Sequence, residues 1–308
     1  MRFWNKDWSE ALCFGLARGL GVFYVKSPYL AASRVLMTRA PNLEERFFNS
    51  LDIPFKWKQA KDDEAAWKDT KSDVDAGLPA LLQTDLYYLD YYNSKTHFNR
   101  HAVLLWGYDE EAGLAYVSDT DREGLMDVPL ESLAKARTSK YMPGPVQYDW
   151  FPMEDLQLKG SVEDVVLNAV KLCAVELLGP SSERPGLVGL NALREMARDL
   201  PNWGEADDWN WCARFAYQII EKRGTGGSAF RGMYAEFLSE VEQMHPSVAG
   251  LNLSDRMEEI ARNWSALATL LKDISEMEQA GRLDEAANIA ERIYNQENDY
   301  CQTVIKAF

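Results

Sequence analysis

The chain has 308 residues and a mass of 35.0 kDa, about twice the usual length of one domain, so two packed domains are expected. Hydrophobic residues make up 46% and charged residues 26%, which excludes a disordered or fibrous chain. The formal net charge of -15 argues against binding to nucleic acid or to membrane surfaces, because an acidic protein without a segregated basic patch is repelled by phosphates and anionic lipids.

The cysteines and histidines are few, and this narrows the possible chemistry. The four cysteines form no CxxC pair, so neither a disulfide scaffold nor a zinc site is indicated, and no metal or bound cofactor is expected. A reducing, cytoplasmic location fits this pattern, since the N-terminus also lacks the apolar stretch of a signal peptide and no run approaches the ~20 apolar residues of a membrane span. Histidine-dependent chemistry is restricted to three positions, which are His97, His101 and His245.

The first half of the chain mixes helix and strand patterns. Two apolar runs flank a five-residue acidic turn that contains Gly113, which predicts a β-hairpin. The three glycines Gly15, Gly19 and Gly21 do not match the dinucleotide-binding fingerprint and instead indicate tight backbone packing. In chain order, the predicted elements are a short helix from Ser9, a strand at 20–25, a helix at 42–51 capped by Asn42, a helix at 65–76, a strand at 80–84, hairpin strands at 101–108 and 114–119, and a helix at 129–137.

From about residue 156 the pattern is helical only. Helix N-caps are predicted at Ser161 and Ser254, and the predicted helices span about 161–178, 186–199, 206–222, 228–244, 254–280 and 283–306. The prolines and glycine between 142 and 159 interrupt regular structure, so we place a domain boundary there. The expected fold class is therefore α+β for residues 1–155, followed by an all-α domain at 156–308.

One pair of residues in the predicted hairpin has catalytic potential. His101 begins one strand and Asp119 ends the next, so their side chains could touch, and a carboxylate beside an imidazole fixes its tautomer and orientation. The pattern alone favours a structural interpretation, in which His101 starts a half-buried strand and Asp119 caps a turn.

Two further segments are candidate binding elements. Four tyrosines between 87 and 92, Tyr88 among them, could wall a substrate cleft, with Gln83 and Asp85 supplying polar contacts; burial of half of these tyrosines in the core is the alternative. The segment 223–227 could hold a phosphate at exposed backbone amides, although an ordinary loop between helices is the more common explanation.

Longer motifs give the chain a family resemblance that covers nearly its whole length. The first half resembles the butirosin biosynthesis protein H N-terminal family, and the second half resembles the uncharacterised domain that often follows it. The motifs that carry the first resemblance are Ser9–Leu16, Gly19–Gly21, Leu82–Leu89, His97-Phe98, His101–Val103, Gly107–Asp109 and Val117–Thr120; those of the second are Trp211–Tyr217 and Arg223–Gly227.

The resemblance implies a papain-like, cysteine-protease-type fold adapted to acyl transfer. It implies an acyl or aminoacyl group carried as a phosphopantetheine thioester by an acyl carrier protein, and a small-molecule amine as acceptor. His101 would then be the general base and Asp119 its orienting partner. Because a carrier protein is itself usually acidic, docking would need a local basic patch, and the best candidates are Arg214, Lys222, Arg223 and Arg231.

The nucleophile of such a reaction is open at the sequence level. The resemblance implies a cysteine on a helix upstream of the stretch that contains Ser9, whereas only eight residues precede Ser9 here. The alternatives are a start further upstream, loss of the nucleophile, or replacement by Cys13, which could be activated near a helix N-terminus; a cysteine between Leu12 and Phe14 is more often a buried apolar residue.

Three functions therefore remain open. The leading hypothesis is an acyltransferase of natural-product biosynthesis. The others are a non-catalytic binding protein that lacks the nucleophile, and a cysteine peptidase or amidohydrolase in which water replaces the amine. The sequence does not fix the oligomeric state.

Overall fold

The structure is a computed structural model that describes residues 7–120, 122–141, 144–154, 158–179, 188–224 and 226–308. It is a mixed α/β structure with a helical C-terminal region. The elements, in chain order, are α1 (Glu10–Leu16), β1 (Leu20–Lys26), β2 (Arg34–Arg39), α2 (Leu43–Ser50), α3 (Asp63–Asp75), β3 (Ala80–Thr84), β4 (His101–Asp109), β5 (Leu114–Ser118), β6 (Met126–Pro129), α4 (Leu130–Ala136), β7 (Trp150–Pro152), α5 (Val162–Leu178), α6 (Gly189–Asp199), α7 (Trp209–Glu221), α8 (Arg231–Met244), α9 (Leu253–Met277) and α10 (Leu283–Ala307).

The chain divides into two compact units. The helical unit consists of Met1–Ile53 together with Leu158–Phe308, and the sheet unit consists of Pro54–Gln157. The predicted division near residue 155 lies close to the end of the sheet unit, whereas the described residues 7–53 belong to the same unit as the C-terminal helices. The residues at 155–157, and the predicted start of a helix at 186, lie outside the described residues.

The sheet unit is built on a five-stranded antiparallel sheet in the order β6-β5-β4-β3-β7. The predicted hairpin is confirmed as β4 and β5, because alternate residues of both strands are apolar and face one core. That core includes Leu82, Val103, Leu105 and Val117, all at most 1% exposed. The edge strands β6 and β7 are short and were not predicted, since three or four residues are too few for a clear alternation.

The helical unit packs a two-stranded antiparallel hairpin, β1 with β2, among helices. Tight packing at the N-terminal glycines is confirmed: a Cβ on Gly15 would lie 2.1 Å from the Phe237 ring, and one on Gly21 would lie 2.7 Å from the backbone nitrogen of Ala40. Glycine is required at position 21 because the opposing atoms are backbone and cannot turn aside. Among the described residues, no helix is both long enough and apolar enough to cross a membrane.

The helix caps agree with the sequence-based prediction at two helices and differ from it at two others. Ser9 caps α1 by accepting a hydrogen bond from the Leu12 amide (2.8 Å), and Ser161 forms a capping box with Asp164. The cap predicted at Asn42 is wrong, because Asn42 adopts a left-handed conformation (φ 55°) and its side chain makes no cap bond. The cap predicted at Ser254 is also wrong, because α9 already begins at Leu253. The Glu242 carboxylate, near the end of α8, instead accepts hydrogen bonds from the Leu253 amide (2.7 Å) and the Ser254 hydroxyl (2.7 Å).

Candidate functional site

The candidate site lies at one edge of the sheet unit, where β4 begins and β5 ends. His101 is the first residue of β4, and Asp119 directly follows β5. The register pairs Leu104 with Ser118, so the end of β5 lies beside the beginning of β4. An antiparallel hairpin of this length therefore brings the imidazole and the carboxylate to the same edge of the sheet.

His101 and Asp119 form a close pair, which we call the dyad. Nε2 of His101 lies 2.8 Å from Oδ2 and 2.9 Å from Oδ1 of Asp119. The Asp119 carboxylate is fully buried, and 15% of the His101 side chain is exposed. An ionised carboxylate can only accept hydrogen bonds, so Nε2 must carry the proton and Nδ1 is the ring nitrogen left to act as a base. No described residue occupies Nδ1 with a hydrogen bond.

The charge on Asp119 is stabilised by its neighbours. Burial by itself raises the pKa of Asp119, but hydrogen bonds from His101 and Tyr91 outweigh it and hold that pKa below its ordinary value. The Tyr91 hydroxyl donates to Oδ2 at 2.6 Å, and burial together with this bond raises the pKa of Tyr91, so the phenol stays protonated. The carboxylate thus remains available to orient the imidazole at neutral pH.

Aromatic rings and one cation surround the dyad. Tyr92 presents its edge to the His101 ring, with the centroids 5.5 Å apart and the planes at 90°. The Arg122 guanidinium lies over the rings of Tyr92 and Tyr91, 4.8 Å and 5.8 Å from their centroids. This part of the predicted tyrosine cluster therefore borders the dyad.

Asp85, predicted to contact substrate, instead uses its carboxylate in four hydrogen bonds within the protein. Its buried carboxylate accepts hydrogen bonds from Ser139 (2.6 Å), from the amides of Tyr87 and Phe98 (3.0 Å and 2.9 Å), and from Nδ1 of His97 (2.7 Å). Burial raises the pKa of Asp85, yet these hydrogen bonds together bring it below its ordinary value. Asp85 therefore fixes the loop that leads from β3 to β4.

The other two predicted substrate contacts are placed as follows. Gln83 is 5% exposed, and its side-chain oxygen accepts a hydrogen bond from Arg100 (3.2 Å). Tyr88 is half-buried, packs against the core of the sheet unit, and meets the Tyr87 ring edge-on at 5.2 Å. Neither residue contacts His101 or Asp119 in the hydrogen bonds and ring contacts of the described residues.

A second histidine–carboxylate pair, His97 with Asp85, was not predicted. The His97 ring stacks between Tyr141 (3.5 Å between centroids) and Tyr87 (4.0 Å). In the sequence, Asp85 and His97 flank a tyrosine-rich loop, which was the available indication of this pair. The sequence of a loop does not determine whether its two ends come into contact, so the pair could not be predicted from it. The stacking of this ring between two tyrosines and its bond to the buried Asp85 carboxylate indicate a structural role in holding the segment before His101.

Replacement of Asp85 by Asn is expected to lower the free energy of unfolding by about 1–3 kcal/mol, because an amide cannot accept all four hydrogen bonds. Urea unfolding at neutral pH measures this. Since the native pKa of Asp85 is lowered, its contribution is complete above the ordinary carboxyl range, near ~4, and is lost as the pH falls through the native pKa. An Asp90→Asn variant, at an exposed position of the same loop, is the control; an equal loss in both variants would contradict the assigned role.

The four cysteines all have raised thiol pKa values. Burial, together with the charges of Glu10 and Glu240, raises the pKa of Cys13 to about 11. Burial likewise raises the pKa of Cys173 to about 11, and raises those of Cys212 and Cys301. Cys13 lies on α1 in the helical unit, and its surroundings favour the protonated thiol, the opposite of what an activated nucleophile requires.

Alkylation of the folded protein by iodoacetamide at pH 7.5 is therefore expected to be about two orders of magnitude slower at Cys13 than at a cysteine of ordinary pKa. Peptide mass spectrometry locates the label, and unfolded protein, in which all four thiols react, is the control. Labelling of Cys13 at or above the rate of an ordinary cysteine would show that this thiol is activated after all.

Of the four cations in the predicted basic patch, Lys222 and Arg223 are exposed and Arg231 is not, and the segment 223–227, predicted to hold a phosphate, is described only in part. Arg231 is wholly buried and pairs with Glu297, so it cannot belong to a surface patch. Arg214 pairs with Glu276 (2.6 Å), while Arg223 stacks on Phe215. Within 223–227, the glycines at 224, 226 and 227 take positive φ angles, and Thr225 lies outside the described residues.

The described ranges contain no group of three or more His, Cys, Asp or Glu side chains placed to hold a metal ion.

Comparison with known protein families agrees with the motifs of both halves. Residues 1–120 match the family model described as butirosin biosynthesis protein H, N-terminal. Residues 131–304, more than half of the chain, match a domain of unknown function, DUF4872. No curated protein matches the chain. The chain therefore belongs to the family in which a butirosin biosynthesis protein H N-terminal domain is followed by a DUF4872 domain.

Proposed function

We propose that this protein is an acyltransferase of natural-product biosynthesis that moves an acyl group from a carrier-protein thioester to the amine of a small molecule. The single observation that carries the proposal is the dyad, in which a buried, ionised Asp119 holds Nε2 of His101 and leaves Nδ1 available. The family match supports a role related to butirosin biosynthesis. A papain-like arrangement of the sheet unit is part of the proposal, since a histidine oriented by a carboxylate on the next strand suits that chemistry.

The dyad can serve acyl transfer directly between two bound substrates. The amine attacks the thioester carbonyl, and Nδ1 of His101 accepts the proton that the nitrogen must lose. The C–N bond forms, the C–S bond breaks, and the imidazolium returns its proton to the departing thiolate. Asp119 stabilises the imidazolium between these two steps.

Direct transfer between the two substrates is consistent with the raised pKa values of the four thiols, because it needs no thiolate. An acyl-enzyme route needs a thiolate, and burial keeps all four cysteines protonated at neutral pH. Cys13 as a nucleophile remains the competing route. It would require a change in its surroundings that lowers a thiol pKa of about 11.

The same thiol observation favours one other function, a non-catalytic protein that binds the carrier-linked arm or the amine without turnover. A peptidase or amidohydrolase with the same dyad would need water in place of the amine. If that reaction passed through an acyl-cysteine, it would need an activated thiol, which the described residues do not contribute.

The test is an acyl-transfer assay with acyl-pantetheine thioesters and a panel of small amines, followed by mass spectrometry of both the products and the intact protein. The proposal predicts acylated amine, no acyl adduct on the protein, and an unchanged rate in Cys13→Ser. An adduct that disappears in Cys13→Ser would establish the acyl-enzyme route, and free acid without amide would establish a hydrolase. Neither product nor adduct from any donor would contradict acyl transfer and favour the binding protein.

A further inference from the structure

Arg122 is the cation that borders the dyad, and no described residue forms an ion pair with it. It is exposed on the loop between β5 and β6, three residues after Asp119. Within the described ranges, no carboxylate pairs with its guanidinium and no acceptor takes its N–H groups. Its contacts are with the rings of Tyr91 and Tyr92.

This mode of contact leaves the hydrogen-bonding capacity of Arg122 intact. A guanidinium that stacks on an aromatic ring uses its flat face, whereas its five N–H donors project from the edge. Two tyrosine rings also restrict the side chain before any ligand arrives, which lowers the entropy lost on binding. A planar cation held in this way is suited to bidentate recognition of a phosphate or a carboxylate.

The two tyrosines also connect the cation to the reacting groups. Tyr92 lies edge-on to the His101 ring, and Tyr91 donates a hydrogen bond to Asp119. The guanidinium is therefore separated from each member of the dyad by one aromatic ring. A group bound by Arg122 would belong to the molecule that reacts at His101, or to its carrier.

The negative net charge of the protein strengthens the case that Arg122 binds an anion. With a net charge of -15, the protein repels anions at long range, so an anionic substrate needs a local positive group to be retained. We propose that Arg122 binds an anionic group, a phosphate or a carboxylate, of the substrate that reacts at the dyad. This rests on the proposed function in taking the dyad as the reaction centre.

The test measures binding without turnover, by titration calorimetry, with two pairs of probes. Phosphopantetheine and pantetheine differ by a phosphate, while the unreactive amides succinyl-cysteamine and butyryl-cysteamine differ by a carboxylate. We expect the charged member of at least one pair to bind about tenfold or more tightly, with a preference that weakens as salt rises. A phosphate preference assigns the anion to the carrier arm, and a carboxylate preference assigns it to the acyl group.

Arg122→Gln should reduce that preference to less than about twofold, and Arg122→Lys should retain part of it because a lysine keeps the charge without the bidentate edge. Lys61→Gln is the matched control, since it removes one exposed positive charge from the same unit and should leave the preference unchanged. The inference is overturned if wild type prefers neither charged probe, if Arg122→Gln keeps the preference, or if Lys61→Gln loses it equally.

The proposed function is judged separately, in the transfer assay. A charge preference that depends on Arg122 in a protein without transfer activity would overturn the proposed function alone. Transfer from neutral donors by a protein with no charge preference would overturn the inference alone.

Discussion

Replacing Arg231 by Met is expected to lower the free energy of unfolding by about 3–5 kcal/mol, the usual cost of leaving one member of a buried ion pair without its partner. Arg231 is 0% exposed and its partner Glu297 only 1%. The guanidinium donates to both carboxylate oxygens (2.8 and 3.1 Å) and to the carbonyls of Thr38 and Ala229 (both 2.8 Å). It also lies over the ring of Trp264, whose indole N–H donates to Glu297.

Denaturant unfolding of the single variant and of the double variant Arg231→Met/Glu297→Leu measures the effect. Removing both charges leaves neither buried and unpaired, so the double variant should recover at least half of the loss. A double variant as unstable as the single one would show that the carbonyl contacts, and not the ion pair, supply the stability. A loss below about 1 kcal/mol in the single variant would contradict the buried network itself.

This network also explains why β1 and β2 pack with the C-terminal helices. The carbonyl of Thr38 lies on β2, which is nearly two hundred residues away from Arg231 at the start of α8. A second link joins Asp199 at the end of α6 to the hydroxyl of Tyr24 on β1 (2.5 Å) and to Arg34 on β2 (3.2 Å). The hairpin is thus held at both strands by buried or half-buried polar contacts.

Replacing Asp119 by Asn is expected to slow acyl transfer by about 10²–10⁴-fold. The amide nitrogen of Asn can donate to Nε2 of His101, which would move the ring proton to Nδ1 and remove the base. Single-turnover rates with saturating thioester and amine measure the effect, and substrate binding should change little, since Asp119 is buried behind the histidine.

Tyr91→Phe is the control for this prediction. It removes one hydrogen bond to Asp119 and leaves the contact between Asp119 and His101 in place. Its rate should fall by less than about tenfold. If Tyr91→Phe and Asp119→Asn were equally slow, the orientation of the imidazole would not be the role of Asp119.

The dyad could be predicted from the sequence because it depends on local geometry. Once residues 101–119 form a hairpin, strand alternation and a short turn leave His101 and Asp119 few other positions. The buried positions of Val103, Leu105 and Val117 follow from the same alternation. The close packing at Gly15 and Gly21 was also predicted, because a glycine without a turn to serve indicates contact with another chain segment.

Features that depend on distant parts of the chain were not predictable. The engagement of Asp85 requires Ser139, which is 54 residues away, and without that partner a carboxylate beside four tyrosines resembles a substrate contact. Arg231 resembles a surface cation until Glu297 is placed beside it. The Glu242 cap on α9 was missed for a related reason, because capping motifs describe residues within the first helical turn, whereas Glu242 lies on α8, 11 residues before Leu253.

The most direct test of the central claim is the single-turnover rate of amine acylation in wild type and in His101→Gln, measured with the same thioester and amine and with folding checked by circular dichroism. If Nδ1 of His101 takes the amine proton, the variant should bind both substrates and lose about 10²–10⁴-fold in rate. A variant that acylates the amine within about threefold of the wild-type rate would show that His101 is not the base and that the reaction occurs elsewhere in the protein.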